Sequence, residues 1–363
     1  MPKQAEIAVV TVNGRKFDDW DSVRVERRAS DAITHCQLSV TEKVGGKLTF
    51  QSLRLKPGDK ANVTLAGRKV CNGVVTTRQA AYSATSHGVL VVIESQTIDL
   101  VDSSAPLKTS QFKDKTLKEI AEKLAEPFGV KITIRGSSKA VEKKFKDVSI
   151  NPGESVWSVI DGLARQRGMQ VHDDEDGNLV LATGTQGVGG DLVEGKNILS
   201  ANCMIQDRSE FGSIGAQTQQ RGDDKTDDET ARKPAASVSG GADRHRPLTV
   251  LAEEPGDAED MKTRVEHERN ALAAAIINAR VVVRGWLKPG GGLWKEREVL
   301  TVNSPMLLLD NVKLGVNAVV FSQDGQSGTT TMLELVKPEA MGAIGAGDPN
   351  LPGGSSREAE VEV

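Results

Sequence analysis

Val299-Leu300-Thr301-Val302, Val312-Lys313-Leu314, Val319-Val320-Phe321 and, past the turn Asp324-Gly325-Gln326-Ser327-Gly328, Thr331-Met332-Leu333-Glu334-Leu335 form one stretch of β grammar. Apolar and polar residues alternate at period two, the spacing of strands with one face buried. The same order occurs near the other end of the chain, in residues 53–98. There Val63 and Leu65 come first, then Val70, then Gly73-Val74-Val75, and after a loop Val89, Val91 and Ile93. The residues alone leave two readings open: an internal duplication, or two ordinary antiparallel meanders. A duplication would let a ring carry twice as many β domains as chains, which points to assembly rather than chemistry.

Working outward, residues 1–103 read as a first all-β unit. Asn13-Gly14 supplies a hairpin turn, and Ile33, Cys36, Leu38 and Val40 supply a further strand. Residues 104–183 change grammar and read as an inserted αβ region. Thr116-Leu117-Lys118-Glu119 is a capping box, followed by Ile120, Ala121 and Leu124 on one helical face. A second helix starts at Asn151-Pro152-Gly153-Glu154 and carries Val156, Val159, Ile160 and Leu163, with Gly168 as its stop. Met169–Val171 and Leu179–Leu181 flank an acidic turn and make a hairpin. Residues 184–197 are Gly-rich and read as a linker. Residues 198–340 return to β and contain a polar loop at 221–243 and a charged helix at 257–279. Residues 341–363 read as a flexible tail. The predicted fold class is therefore α+β, mostly β: two β units separated by small αβ pieces, with one charged helix before the final β unit.

With 363 residues the chain can build several cores. A net charge of −4 gives no global basic excess for gripping phosphate backbones, and 3% aromatic residues leave little for stacking on single strands. No stretch approaches the roughly 18 apolar residues of a membrane span, and the N-terminus has no signal pattern. Cys36, Cys71 and Cys203 are odd in number and widely spaced, so they read as buried small apolar residues rather than disulfides or metal ligands.

Candidate chemistry is sparse. Asp174, Asp176 and Gly177 are arranged like part of a calcium loop, but His172 and Thr183 fall where its first and last ligands belong, so a solvated acidic turn is the better reading. His35, His87, His172, His245 and His267 show no metal-binding spacing, and His267 on the charged helix reads as solvated. Gly187-Val188-Gly189-Gly190 lacks the Lys and helix of a phosphate loop, and Arg221-Gly222-Asp223 in a polar loop reads as chance. No nucleophile elbow or Walker loop is present. Glu119 and Glu154 are explained as helix caps, leaving no unexplained carboxylate pair for glycan cleavage. Trp157 and Trp286 read as core anchors, and Trp20 lies near a turn. Trp294, after Gly290-Gly291-Gly292, is the candidate exposed tip for docking on a partner. Arg244 and Arg246, flanking His245, either meet a carboxylate-rich partner or face solvent.

Three segments carry a family resemblance. The first is Val148-Ser149-Ile150-Asn151-Pro152-Gly153-Glu154-Ser155-Val156-Trp157 with Leu163-Ala164-Arg165-Gln166-Arg167-Gly168. The second is Asp243-Arg244-His245-Arg246-Pro247-Leu248, followed by the charged helix and Val283-Arg284-Gly285-Trp286. The third is Leu333-Glu334-Leu335-Val336-Lys337-Pro338. In this order they resemble the baseplate hub proteins of Mu-like contractile phage tails, which are related to the N-terminal parts of type VI secretion spikes. The resemblance implies two tail-tube-like β-barrel domains and a homotrimer whose ring offers six similar domains. Such a ring joins a six-fold tail tube or its initiator to a three-fold central spike, among other baseplate proteins, with a bore for DNA in transit. It also implies a virion location after assembly in the host cytoplasm, no cofactor and no catalysis. The alternatives are a peptidoglycan-binding or wall-degrading tail component, and the hub of a phage-derived injection device.

Overall fold

The computed structural model describes residues 6–43, 55–84, 86–106, 111–136, 142–217, 234–240, 242, 244–251 and 258–342. The first β unit contains β1 (Ala8–Val12), β2 (Arg15–Phe17), β3 (Ser22–Arg28), β4 (His35–Lys43), β5 (Lys60–Leu65), β6 (Arg68–Tyr82) and β7 (Ser86–Ser95). Asn13 and Gly14, at φ 49° and 77°, turn β1 into β2 with Val12 opposite Arg15. Positive φ at both turn residues matches the right-handed twist of the flanking strands, which is why Asn-Gly reads so clearly.

The αβ region follows with α1 (Ile98–Asp102), β8 (Gln111–Lys115), α2 (Leu117–Ala125), β9 (Ile132–Arg135), β10 (Phe145–Ser149), α3 (Val156–Gln166), β11 (Gln170–Asp173) and β12 (Leu179–Ala182). The capping box is formed: Thr116 accepts from the Glu119 amide, and the Glu119 carboxylate accepts from the Thr116 amide at 2.9 Å. Leu117, Ile120, Leu124, Val156, Ile160 and Leu163 bury together in a core separate from that of the main sheet.

The remaining elements are β13 (Val188–Val193), β14 (Ser200–Ile205), β15 (Ser213–Gln217), β16 (Pro234–Ser239), β17 (Pro247–Leu251), α4 (Ala258–Ile276), β18 (Ile277–Arg284), β19 (Val299–Ser304), β20 (Leu309–Asp324) and β21 (Gly328–Val336). β15, β16 and β17 form a small sheet on which α4 lies, with Ile214, Ala216, Val238, Met261 and Val265 buried between them.

The sequence repeat is a repeat of topology. In the first unit neighbours run β3-β4-β7-β6-β5-β1, and in the second β14-β18-β21-β20-β19-β13. Both meanders consist of a six-residue strand, a strand of 15 or 16 residues and one of 10 or 9. Both long strands carry a register shift at the same place, between Val75 and Thr77 in β6 and between Val316 and Ala318 in β20. The units differ at one edge: β1 joins β5 antiparallel, whereas β13 joins β19 parallel.

Two separate β-barrels are not what a single chain displays. β20 pairs with β3, so both units share one 13-stranded sheet running from β14 to β2, and its described pairings do not close. The apolar faces of both units, from Val10 and Val63 to Phe321 and Leu335, form one core.

Three local expectations change. The Gly-rich 184–197 segment contains strand β13: Leu192 is buried, and Gly189 lies so near β19 that a Cβ would come within 2.3 Å of Leu300 Cδ2. The glycine read as a linker signal is there for close strand approach. Within the expected loop 221–243, Pro234–Ser239 is strand β16, because Val238 has an apolar helix face to cover; residues 221–233 lie outside the described residues. The charged helix ends at Ile276 rather than 279, since Ile277, Ala279, Val281 and Val283 are buried at period two in the sheet. The tail beyond Gly342 lies outside the described residues.

Candidate functional site

The chemically most unusual place in the molecule is a buried polar junction where the two β units meet the tip of the β11–β12 hairpin. β3 supplies Arg27, the hairpin supplies His172, Asp173 and Glu175, and the segment entering β19 supplies Glu296 and Arg297. Arg27, His172, Asp173, Glu296 and Arg297 are all buried. Arg27 Nη2 donates to Glu296 Oε1 at 2.9 Å and lies 3.8 Å from Glu175 Oε2. Lys295 Nζ reaches Glu175 at 3.1 Å. Burial alone would lower the Arg27 pKa, but the carboxylates of Glu296, Asp173 and Glu175 raise it, so its charge is fixed. Burial pushes Glu175 up, yet its own amide, Arg27 and Lys295 together bring it down to about 2.

Arg297 does a different job. Its backbone sits at φ 67°, in the left-handed region. Among the described residues its guanidinium meets no carboxylate within bonding distance but donates to the carbonyls of Gly184 (2.7 Å), Met341 (2.6 Å) and Ala29 (3.2 Å) and to Gln170 Oε1 (2.8 Å). One side chain thus ties together the end of β3, the hairpin, the segment leaving it and the chain past β21. Burial lowers its pKa to about 10, which leaves it charged at neutral pH.

His172 and Asp173 are the titrating members. Burial lowers His172 to about 4, so its 4.0 Å approach to Glu296 is not an ion pair at neutral pH, and Nδ1–H donates to the Asp173 carbonyl at 2.7 Å. Burial raises Asp173 to about 7 against the pull of Arg27 and hydrogen bonds from Thr34 and Ser95, with the Thr34 amide donating at 3.0 Å. Between the ordinary value of 3.8 and about 7 the folded chain keeps a proton that the unfolded chain releases. Stability attributable to Asp173 therefore falls as pH rises through that window and is flat above it. His172 acts oppositely, losing stability as pH falls from 6.5 toward about 4. Asp173→Asn should accordingly gain stability over the wild type from about pH 4 to pH 7 and no more beyond. Urea midpoints measured at pH 5, 6, 7 and 8 check this; a constant difference between the two proteins would contradict it.

The acidic turn is not the solvated one expected. Asp173 and Asp174 are buried because the hairpin tip wedges against the first β unit. Lys69 pairs with Asp176, and Asn72 Nδ2 donates to the Asp176 carbonyl at 2.8 Å. Asp174 accepts from the amides of Asp176 and Asn178, which closes the turn on itself. Nor is Trp294 an exposed tip. It is 3% exposed, packed in the main core, because Leu287 and Leu293 bridge and fold the glycine run back over the sheet. His267 is buried rather than solvated, since α4 is covered by the small sheet on one side and by α3 and the 338–341 turn on the other.

Arg244 and Arg246 are engaged within the chain. Arg244 pairs with Asp207, while Arg246 donates to the carbonyls of Asp207 (2.8 Å) and Arg208 (2.7 Å) and lies over the Phe211 ring. They do not join the junction. Trp286 is fully buried and donates to the Ser322 carbonyl, and Trp157 packs partly buried on the αβ core. Cys36 and Cys71 are buried side by side, and the Cys36 hydrogen bond and burial push the Cys71 thiol up; Cys203 is only half-buried. Among the described residues no three His, Cys, Asp or Glu side chains are grouped to hold a metal, and no helix is long and apolar enough to cross a membrane.

Sequence reasoning missed Arg27, Glu296 and Arg297. The available signal was Lys295-Glu296-Arg297-Glu298, a charged run between a tryptophan and a strand with no turn residue in it. Such a run has to be paired if it is buried.

Three family models match successive parts of the chain. They are described as the N-terminal domain of Mu phage baseplate assembly protein GpP-like (residues 7–92), the second domain of baseplate hub protein gp44-like (residues 97–183) and the fourth domain of Mu phage baseplate assembly protein GpP (residues 257–343). The baseplate hub protein gp44 of Escherichia phage Mu is 26% identical over 332 residues, covering 90% of this chain and 86% of that protein. The crystal structure of a 43 kDa tail protein of prophage MuSo2 from Shewanella oneidensis matches with TM-score 0.78 and 25% identity over 93% of this chain and 99% of that one. A type VI secretion component of E. coli, described as similar to the T4 tail proteins gp27 and gp5, shares the fold at TM-score 0.56 and 9% identity over 90% of this chain and 76% of that one. With baseplate models matched in order along it and a Mu hub relative spanning nearly all of it, the chain belongs to the Mu-like phage baseplate hub family.

Proposed function

We propose that this hub protein works as a homotrimeric ring in which each chain contributes two tail-tube-like β units. The ring then presents six similar units upward to a six-fold tail tube or its initiator and a three-fold base downward to the central spike. It leaves a bore through which DNA passes. The observation that carries this reading is the repeat of β3–β7 by β14 and β18–β21 within one chain. A closed ring of three chains turns that repeat into six-fold geometry without a second subunit type. Each β-barrel-like wall is completed by neighbouring units, in keeping with a sheet that stays open in one chain.

In this reading the chain divides as 1–103, 104–183, 184–197 and 198–340, with 341–363 beyond. The αβ region stands outside the ring and is locked to it by the polar junction. Arg244 and Arg246 hold the 207–211 turn in shape for a baseplate partner. The protein is assembled in the host cytoplasm, carries no cofactor and catalyses nothing. Nothing specific favours glycan cleavage: Glu119 is used in the α2 capping box, and Glu154 accepts from the Asn151 amide at 3.3 Å. An injection device related to type VI secretion would use the same ring. The copy number of the chain bound to its spike tests the proposal, with three expected and one contradicting it.

A further inference from the structure

One contact inside the chain has a counterpart that a single chain leaves unmade. β20 outruns its short partner β19, whose pairing stops at Gly315. Its outer half pairs instead with β3 of the first unit, from Ala318 opposite Arg28 to Gln323 opposite Val23. In the first unit β6 likewise outruns β5, which is last paired at Val74. Among the described residues, 77–82 continue along β7 alone and are exposed on both faces. By position in the repeat, the strand equivalent to β3 is β14, and among the described residues β14 pairs with β18 only.

The β14 edge lacks the devices that keep free edges from associating. It carries no charge and no proline, and its pairing with β18 shows no register shift. Every residue in it is exposed or half-exposed, and Leu199, Met204 and Ile205 are 59%, 54% and 38% exposed. The other ends of the sheet are protected: β2 is three residues long with Arg15 and Lys16, and β13 has a bulge between Val188 and Gly190 and carries Asp191. The free half of β6 ends in Tyr82, 85% exposed. Among the described residues, four of the seven large exposed apolar side chains therefore lie on or next to the two unmatched edges.

We propose that β14 of one copy pairs antiparallel with residues 77–82 of β6 in a second copy of this chain. The proposal rests on the ring reading and specifies its subunit contact. The intrachain contact also sets the register. The bulges align Thr77 with Ala318 and hence Ala80 with Phe321. Pairing to β4 and β18 aligns Val25 with Cys203, because Cys36 and Ala279 are equivalent. Phe321 lies opposite Val25, so Ala80 lies opposite Cys203 of the neighbour, and Gln79 lies opposite Met204. Each copy uses a different edge on each side, so the contact closes a ring rather than a two-fold dimer. Intrachain β20–β3 seams then alternate with interchain β6–β14 seams, and the open sheet closes.

The test is a cross-link in the full-length chain, alone and mixed with its spike protein. Directly opposed residues of antiparallel strands have Cα atoms about 4.5–5.5 Å apart, inside the range a disulfide bridges. Ala80→Cys treated with diamide, which takes up the two electrons and two protons of the paired thiols, should form covalent multimers through Cys203. Adding Cys203→Ser should abolish them, and Arg78→Cys should form few. As a second variant, Met204→Lys at an exposed position should reduce the oligomer to monomer while keeping the far-UV circular dichroism spectrum and a cooperative unfolding transition. An oligomer that forms in Ala80→Cys without cross-linking, persists in Met204→Lys, or links Cys203 to the spike instead would overturn the seam and leave the ring standing. A chain that stays monomeric with its spike present would overturn the ring itself.

Discussion

Arg297→Ala should lower the unfolding free energy by about 3–5 kcal/mol. The side chain is fully buried and satisfies the carbonyls of Gly184, Met341 and Ala29 and the amide oxygen of Gln170. Each buried acceptor left without a donor costs about 1–3 kcal/mol, and hydrogen bonds from a charged donor lie at the upper end. The losses overlap, because relaxation or entering water re-satisfies some groups, so the expected total is below their sum. Alanine keeps the strain of a positive φ while losing every bond. Arg297→Gly removes that strain and should be slightly less damaging. Arg297→Lys keeps the charge but not the planar fork, and should recover only a minor part of the loss. Urea unfolding monitored by tryptophan fluorescence measures all three, and a loss under 1 kcal/mol for alanine would remove Arg297 from its tying role.

Glu296→Ala should cost a similar amount, about 3–5 kcal/mol, for a different reason. It leaves the Arg27 guanidinium buried at 4% exposure with its 2.9 Å partner gone and Glu175 still 3.8 Å away. Breaking one side of a buried pair is far worse than replacing both, so Arg27→Met combined with Glu296→Leu should restore most of the stability. A second readout separates electrostatics from packing. Glu296 repels the Asp173 carboxylate, so its removal should bring the Asp173 pKa down from about 7. The upper end of the pH window over which stability falls should then move down, narrowing the window. Equal damage in the single and double variants would mean that packing, not the unpaired charge, dominates.

The sheet was legible where one face is buried. Val89, Val91 and Ile93 are buried and alternate with half-buried Leu90, Val92 and Glu94, and the capping box at Thr116 announced α2 through local chemistry alone. The misreadings share one cause: tertiary contacts supplied burial that no local pattern records. Gly189 reads as a linker residue unless β19 is known to lie against it. Trp294 follows three glycines and reads as exposed until the run is folded back on the core. Asp173 and Asp174 read as solvated until the hairpin tip meets Lys69 and Asn72. The junction was the least legible part, because Arg27, Asp173 and Glu296 come from three distant segments and each looks like an ordinary surface charge in its own neighbourhood. The repeat lay between these extremes. Periodicity suggested it, but the equivalent bulges in β6 and β20, which fix its register, depend on strand pairing and leave no mark in composition.

That register leads back to the ring. The most direct measurement is the native mass of the full-length chain, alone and mixed with the spike protein of the same tail. The expected result is an assembly holding three copies of the chain on one spike. A single copy stably bound to the spike, with no higher species at any concentration, would contradict it.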